Sequence, residues 1–153
     1  MVTEVDILVR WEKVSGDEEK LLFIVGAPGA GKSRLIRGLA LEDGWKYIEA
    51  KDLLDEEFVE YARDMRPGLA PSAVCSALKN CGAKVVLVDN VEVLFAPILN
   101  LKPFELLKDI SKQFPLIVGW RGTFDGERIY LEHNGNKHYA SYDVEYIDHI
   151  ITI

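Results

Sequence analysis

Residues 26–33, Gly-Ala-Pro-Gly-Ala-Gly-Lys-Ser, restrict what this chain can fold into more than any other stretch. They fit G-x-x-x-x-G-K-[ST] at every fixed position. The glycines allow backbone conformations that turn successive N–H groups toward one point, with no side chains in the way. A helix beginning near Gly31 adds its positive end. Such a loop grips phosphate: Lys32 can reach the β- and γ-phosphates of a nucleotide, and Ser33 offers a hydroxyl to Mg²⁺. The flanks matter as much as the motif. "LLFIV" (21–25) is a continuous apolar run, the signature of a strand buried on both faces. Residues 32 to about 42 then put Leu35, Ile36, Leu39 and Ala40 on one helical face. A chance glycine-rich turn would lack such flanks. Nucleotide contacts are expected from Gly26, Ala27, Pro28, Gly29, Ala30, Gly31, Lys32, Ser33 and Arg34.

The rest of the chain supplies the architecture that such a loop needs. Residues 3–14 space Val5, Ile7, Leu8, Trp11 and Val14 as an amphipathic helix would. "WKYIEA" (45–50) reads as a short strand, and helices are expected over 51–65 and 70–82, the latter with Pro71 in its first turn and Gly82 beyond its end. "KVVLVD" (84–89) and "PLIVGW" (115–120) are two further apolar strands, separated by a loop and a helix over "FELLKDISKQF". "RGTFDG" is expected to be a loop bracketed by Gly122 and Gly126. Alternation on either side of Asn134-Gly135-Asn136 predicts a β-hairpin, whereas "VEYIDHIITI" is ambiguous between helix and strand. Strands alternating with helices imply an α/β fold with a mainly parallel sheet covered by helices on both faces. This is the three-layer arrangement of P-loop NTPases. At 153 residues, the chain is expected to form one such domain over 1–153.

A phosphate loop needs a partner to hold its metal. Asp89 follows four apolar residues at the carboxyl end of its strand, where α/β sheets place their sites, and is the expected Mg²⁺ partner of Ser33. Asn90 follows where many hydrolysing ATPases of the AAA+ and RecA-like type carry the glutamate that polarises water. A neutral amide can hydrogen-bond water but cannot take its proton. Glu92 lies two residues on, and a curled strand end would return it to the site; a solvent- or partner-facing Glu92 is the alternative. After "LIVGW", Arg121 or Thr123 would serve as a polar sensor of the γ-phosphate, with Arg121 adding positive charge. A surface arginine in a turn is the competing reading. Lys32, Asp89, Glu92 and Arg121 are thus the catalytic candidates, with Ser33 and Asp89 as metal ligands. Arg34, Arg37, Arg63 and Arg66 are mostly solvated or paired, although in a ring or filament one could act at a neighbour's nucleotide.

Charge and cysteine content narrow the function classes. The net charge of −7 opposes counterion-release binding to nucleic acid, so DNA contact is expected only indirectly or through assembly. Cys75 and Cys81 sit on different parts of a predicted helix and make no zinc site without nearby histidines. His133, His138 and His149 match no metal motif and are expected at surface or hairpin positions. No apolar run approaches the ~20 residues that span a bilayer, and "MVTEVDILVRWEK" lacks a signal-peptide pattern, which predicts a cytoplasmic protein.

"LLFIVGAPGAGKSRLIR", "VVLVDNVEVLF" and the tail after "LIVGW" together resemble BrxF, a family of small P-loop ATPases in bacterial BREX phage-defence systems. The likeness includes a short helix before the loop and no lid domain after the sheet. It implies an accessory ATPase that works with larger defence proteins, and it carries Lys32, Ser33 and Asp89 over by motif. Three functions follow for testing: a slow Mg-ATP hydrolase or assembly switch, a small-molecule or nucleotide kinase, and a nucleotide-binding module without turnover. A kinase would want an arginine-rich lid, for which 121–140 offers only Arg121 and Arg128. "NGNKHY" lacks the aspartate of a guanine-reading motif, leaving ATP as the expected nucleotide.

Overall fold

Strand pairing follows the alternation of the sequence, and an antiparallel extension is added at one end. The computed structural model describes residues 1–53, 82–97 and 101–153. Numbered within those residues, the elements are α1 (Glu4–Val14), β1 (Leu21–Gly26), α2 (Lys32–Leu39), β2 (Trp45–Glu49), β3 (Val85–Asp89), α3 (Pro103–Ser111), β4 (Leu116–Phe124), β5 (Arg128–His133), β6 (Asn136–Asp143) and β7 (Ile150–Thr152). Short 3-10 turns occupy Ala50–Leu53, Val91–Phe95 and Ile147–His149. The helices expected over 51–65 and 70–82, with Arg63, Arg66, Cys75 and Cys81, fall outside the described residues except at their margins.

Five strands lie in the order β2-β3-β4-β1-β7, every neighbouring pair parallel. Successive residues of a strand face opposite sides, and β1 divides its side chains accordingly. Leu22 and Ile24 join Ile7, Trp11, Val14, Ile36 and Leu39 under α1 and α2. Leu21, Phe23 and Val25 join Phe104, Leu107 and Ile110 under α3 on the other face. Helices therefore cover both faces, as parallel pairing requires. α1 begins where the Asp6 carboxylate accepts the Thr3 N–H at 2.8 Å, with acidic residues in its first turn and Lys13 in its last. Among the described residues no helix is long and apolar enough to cross a membrane.

The region after "LIVGW" departs from expectation. Arg121-Gly122-Thr123-Phe124 is no loop: it continues β4 and pairs antiparallel with β5, through Gly122↔Leu131, Thr123↔Tyr130 and Phe124↔Ile129. Gly122 is there for proximity instead of mobility. A Cβ on it would collide with the Tyr130 carbonyl oxygen, the same oxygen that accepts the Trp120 Nε1–H at 3.0 Å. The hairpin forms as predicted, with His133 opposite Asn136 and both loop residues, Asn134 (φ 53°) and Gly135 (φ 75°), in the left-handed region. That is the backbone of a two-residue type I′ turn, for which Asn-Gly is the favoured pair. Trp120, fully buried, lies edge-on to Phe23, Phe104 and Tyr142, and Tyr142 of β6 stacks on Phe104 of α3 at 4.4 Å. These rings fasten the meander to the parallel sheet.

The ambiguous C-terminal stretch resolves as the 3-10 turn and β7, parallel to β1 through Phe23↔Ile150 and Ile24↔Ile151. His149 corrects another expectation. It is 6% exposed, with its Nε2 2.8 Å from Asp17 Oδ2, so it belongs to neither surface nor hairpin.

Candidate functional site

The site lies at the carboxyl ends of β1 and β3, with β4 between them. Residues 27–31 leave β1 as an exposed loop closed by the Ala30 N–H on the Ala27 carbonyl at 3.1 Å. Gly29 (φ 82°) and Gly31 (φ 93°) take left-handed conformations that other residues rarely adopt, and α2 starts directly at Lys32. Open space surrounds both glycines, whereas a Cβ on Gly26 would meet Ile153 at 2.8 Å. The two later glycines thus shape the loop, and the first lets the strand end pack.

Ser33 and Asp89, which are remote in sequence, meet here. Ser33 Oγ donates to Asp89 Oδ2 at 2.6 Å. Asp89 has no exposed surface, and its Oδ1 accepts the Asn90 N–H at 2.9 Å. Two parallel strands separated by a third stand about 10 Å apart, so a side chain on the middle strand would normally intervene. Gly119 removes that obstacle: a Cβ there would lie 2.7 Å from Asp89 Oδ1 and would press on Ile36 of α2. Sequence reasoning missed this residue, although a glycine inside an apolar strand is itself a mark of close approach.

A second donor was also missed. The Tyr47 hydroxyl, from β2, donates to the same Asp89 Oδ2 at 3.1 Å. Burial holds the Tyr47 phenol above its ordinary pKa; the Arg37 guanidinium beside it pulls downward, and the Asp89 charge upward. The hydroxyl stays protonated. Arg37 lies 5.2 Å from the Tyr47 ring centroid and 3.9 Å from Glu49. Tyr47 raises the Arg37 pKa further, and the arginine remains charged.

The remaining candidates lie on α2, after β3 and on β4. Lys32 is half-exposed at the first position of α2, and Arg34 is exposed on the next turn face. Asn90 adopts a left-handed conformation (φ 58°, ψ 42°), which an asparagine tolerates better than most residues, and a 3-10 turn follows it. The chain therefore turns directly after β3. Among the described residues, Glu92 Oε2 is buried without a hydrogen-bond partner, and so is Arg121 Nε. Arg121 lies in register with Gly26, the first residue of the phosphate loop. It is thus a strand residue beside the loop, not a turn residue, and Thr123 is exposed farther along β4. A groove of about 950 Å³ opens next to the loop, with Val2, Thr3, Gly31, Arg34, Leu35 and Ile153 among its walls.

The donor set suits a hard cation. A buried carboxylate and a hydroxyl 2.6 Å apart supply oxygen ligands beside a loop rich in N–H groups, which is what Mg²⁺ with a polyphosphate requires. Fold and site together are those of a parallel α/β domain with a P-loop-type phosphate loop. No family model matches the sequence. The chain is similar to the replication factor C large subunit of Pyrobaculum arsenaticum, 33% identical over 96 residues, or 58% of this chain. It spans only 21% of that relative. Among solved structures, C. elegans PCH-2 aligns over 80% of this chain and 38% of its own, with 16% identity and a TM-score of 0.45.

Proposed function

We propose that this chain binds Mg-ATP and works as a slow ATPase or nucleotide-dependent assembly switch. The observation that carries this reading is the Ser33–Asp89 contact at the mouth of the phosphate loop. Loop amides and the start of α2 would hold the phosphates, Lys32 would neutralise their charge, and Ser33 and Asp89 would hold Mg²⁺. The metal, when bound, offsets charge that develops on the phosphate oxygens. The groove of about 950 Å³ has the size of a small-ligand site and would take the nucleoside, with Arg34 at its edge.

Hydrolysis would run by attack of a water oxygen on the γ-phosphorus, with cleavage of the bond to the bridging oxygen. Glu92, whose Oε2 has no hydrogen-bond partner among the described residues, would be the group to accept the water's proton, since Asn90 cannot. Arg121, with its own unpaired nitrogen, would stabilise charge on the transferred group. Asn90 at the usual base position makes turnover slow and favours the switch over a fast motor. Residues 121–143 are committed to the meander and its aromatic anchor, so they provide no mobile lid for a kinase.

The BrxF resemblance supports a place among larger proteins of a cytoplasmic BREX defence complex, with any DNA contact made through them or through self-assembly. Nucleotide binding and phosphate release, measured with Lys32→Ala as control, test the reading. Wild-type protein should bind ATP and release phosphate slowly, and the variant should lose at least about a hundredfold in both. Binding without Lys32-dependent release would leave the switch and remove the hydrolase; absence of ATP binding would remove both.

A further inference from the structure

We propose that Tyr47 is a positioning residue for the metal-binding carboxylate: its hydroxyl holds Asp89 Oδ2 from the β2 side and so sets how tightly Mg²⁺ is bound with nucleotide. This rests on the Mg-ATP reading of the site and adds a residue outside both nucleotide motifs.

The geometry behind it begins with strand register. Glu49 pairs with Asp89 and Tyr47 with Leu87, so Tyr47 is the diagonal neighbour of Asp89 on the same face of the sheet. Diagonal neighbours stand roughly 7–8 Å apart, within reach of an aromatic side chain. The phenol spans that gap and reaches Oδ2 at 3.1 Å. From the other side, α2 fixes the ring. Ser33 and Arg37, four residues apart, share a helix face, and Arg37 covers the ring at 5.2 Å while Ser33 takes the same carboxylate oxygen. Gly119 of β4 approaches Asp89 with no side chain of its own. Among the described residues its hydrogen bonds orient the carboxylate: the Asn90 N–H on Oδ1, and the Ser33 and Tyr47 hydroxyls on Oδ2.

These donors differ in what metal binding asks of them. Ser33 is itself a metal ligand in this reading, so its hydroxyl must serve the cation as well as the carboxylate. Tyr47 is no metal ligand in this reading; its other partner is the Arg37 guanidinium, which does not compete for the cation. Its hydroxyl can stay on Oδ2 in both states and keep the carboxylate aimed while Ser33 adjusts.

Tyr47→Phe keeps the ring under Arg37 and removes the hydroxyl, and with it the bonds to Asp89 and to Arg37. The experiment follows binding of a fluorescent ATP analogue while Mg²⁺ is titrated, with Mn²⁺ paramagnetic resonance as a direct metal readout. Tyr130→Phe is the control, since its hydroxyl bonds Asp125 at 3.1 Å, away from the loop. A hydrogen bond to a charged group is worth enough that the half-saturating Mg²⁺ concentration of Tyr47→Phe should rise about tenfold. Nucleotide affinity without metal should stay at the wild-type value, and Tyr130→Phe should match wild type throughout. Equal Mg²⁺ dependence in Tyr47→Phe and wild type overturns the positioning role alone. A wild-type protein that binds no nucleotide, with or without metal, overturns the site reading beneath it.

Discussion

The carboxyl end of the parallel sheet and the antiparallel meander share one strand, β4, yet they treat polar groups in opposite ways. In the meander, polar side chains find partners nearby. Asp125 accepts the Glu127 and Arg128 N–H groups at 2.8 and 2.7 Å and the Tyr130 hydroxyl at 3.1 Å. Arg128 in turn bonds Asp143 and Ser141. At the loop end, Asp89 is buried with hydroxyl and amide donors and no ion pair among the described residues, and after β3 and on β4 Glu92 and Arg121 each keep a buried atom without a partner there. Buried polar atoms without partners cost stability, and in the proposed function a bound nucleotide would supply them. The first region holds itself together, and the second leaves polar atoms that the proposed ligand would engage.

Two glycines on β4 separate these roles. Gly122 touches the meander, and Gly119 touches Asp89. Gly122→Ala places a methyl group into the Tyr130 carbonyl, a backbone atom that cannot swing away, and should cost about 3 kcal/mol of stability. Chemical denaturation checks this; a loss below about 0.5 kcal/mol would mean that β5 shifts freely. Gly119→Ala presses on Ile36 and on Asp89 Oδ1, and should leave a folded protein whose Mg-ATP affinity falls about tenfold, or about 1.4 kcal/mol. Calorimetric titration reads the change, and an unaltered affinity would show that Asp89 is not held by that contact.

The smallest expected effect belongs to the meander and to acid. Backbone hydrogen bonds from Arg128 and Glu127 hold the Asp125 carboxyl below its ordinary pKa. A carboxyl whose pKa is lower in the folded state adds stability above its unfolded value, about 3.9, and loses it as pH falls through the folded one. Asp125→Asn should therefore flatten the acid limb of a pH–stability curve below about pH 4 and leave Mg-ATP binding unchanged. A steep limb identical to wild type would contradict it.

Legibility differed between the same two regions. The phosphate loop, Asp89 and the Asn-Gly hairpin could be read from sequence because each depends on local chemistry at fixed spacing. Helix α1 and the apolar strands could be read from periodicity. "RGTF" was misread because glycine marks flexibility and close packing alike, and only the approach of Tyr130 distinguishes them. Tyr47 and Gly119 join the site through strand order and register, which no short motif encodes. His149 was misplaced for the same reason, since its partner Asp17 lies far away in sequence.

The most direct test of the central claim is thermal unfolding of the wild-type chain with and without Mg-ATP. A ligand at a hundredfold above its dissociation constant stabilises the folded state by ~2.7 kcal/mol, which for a chain of this size raises the midpoint by about 5–10 °C. The expected result is that rise for wild type and almost none for Lys32→Ala. Equal midpoints for the wild-type protein with and without Mg-ATP would contradict the account.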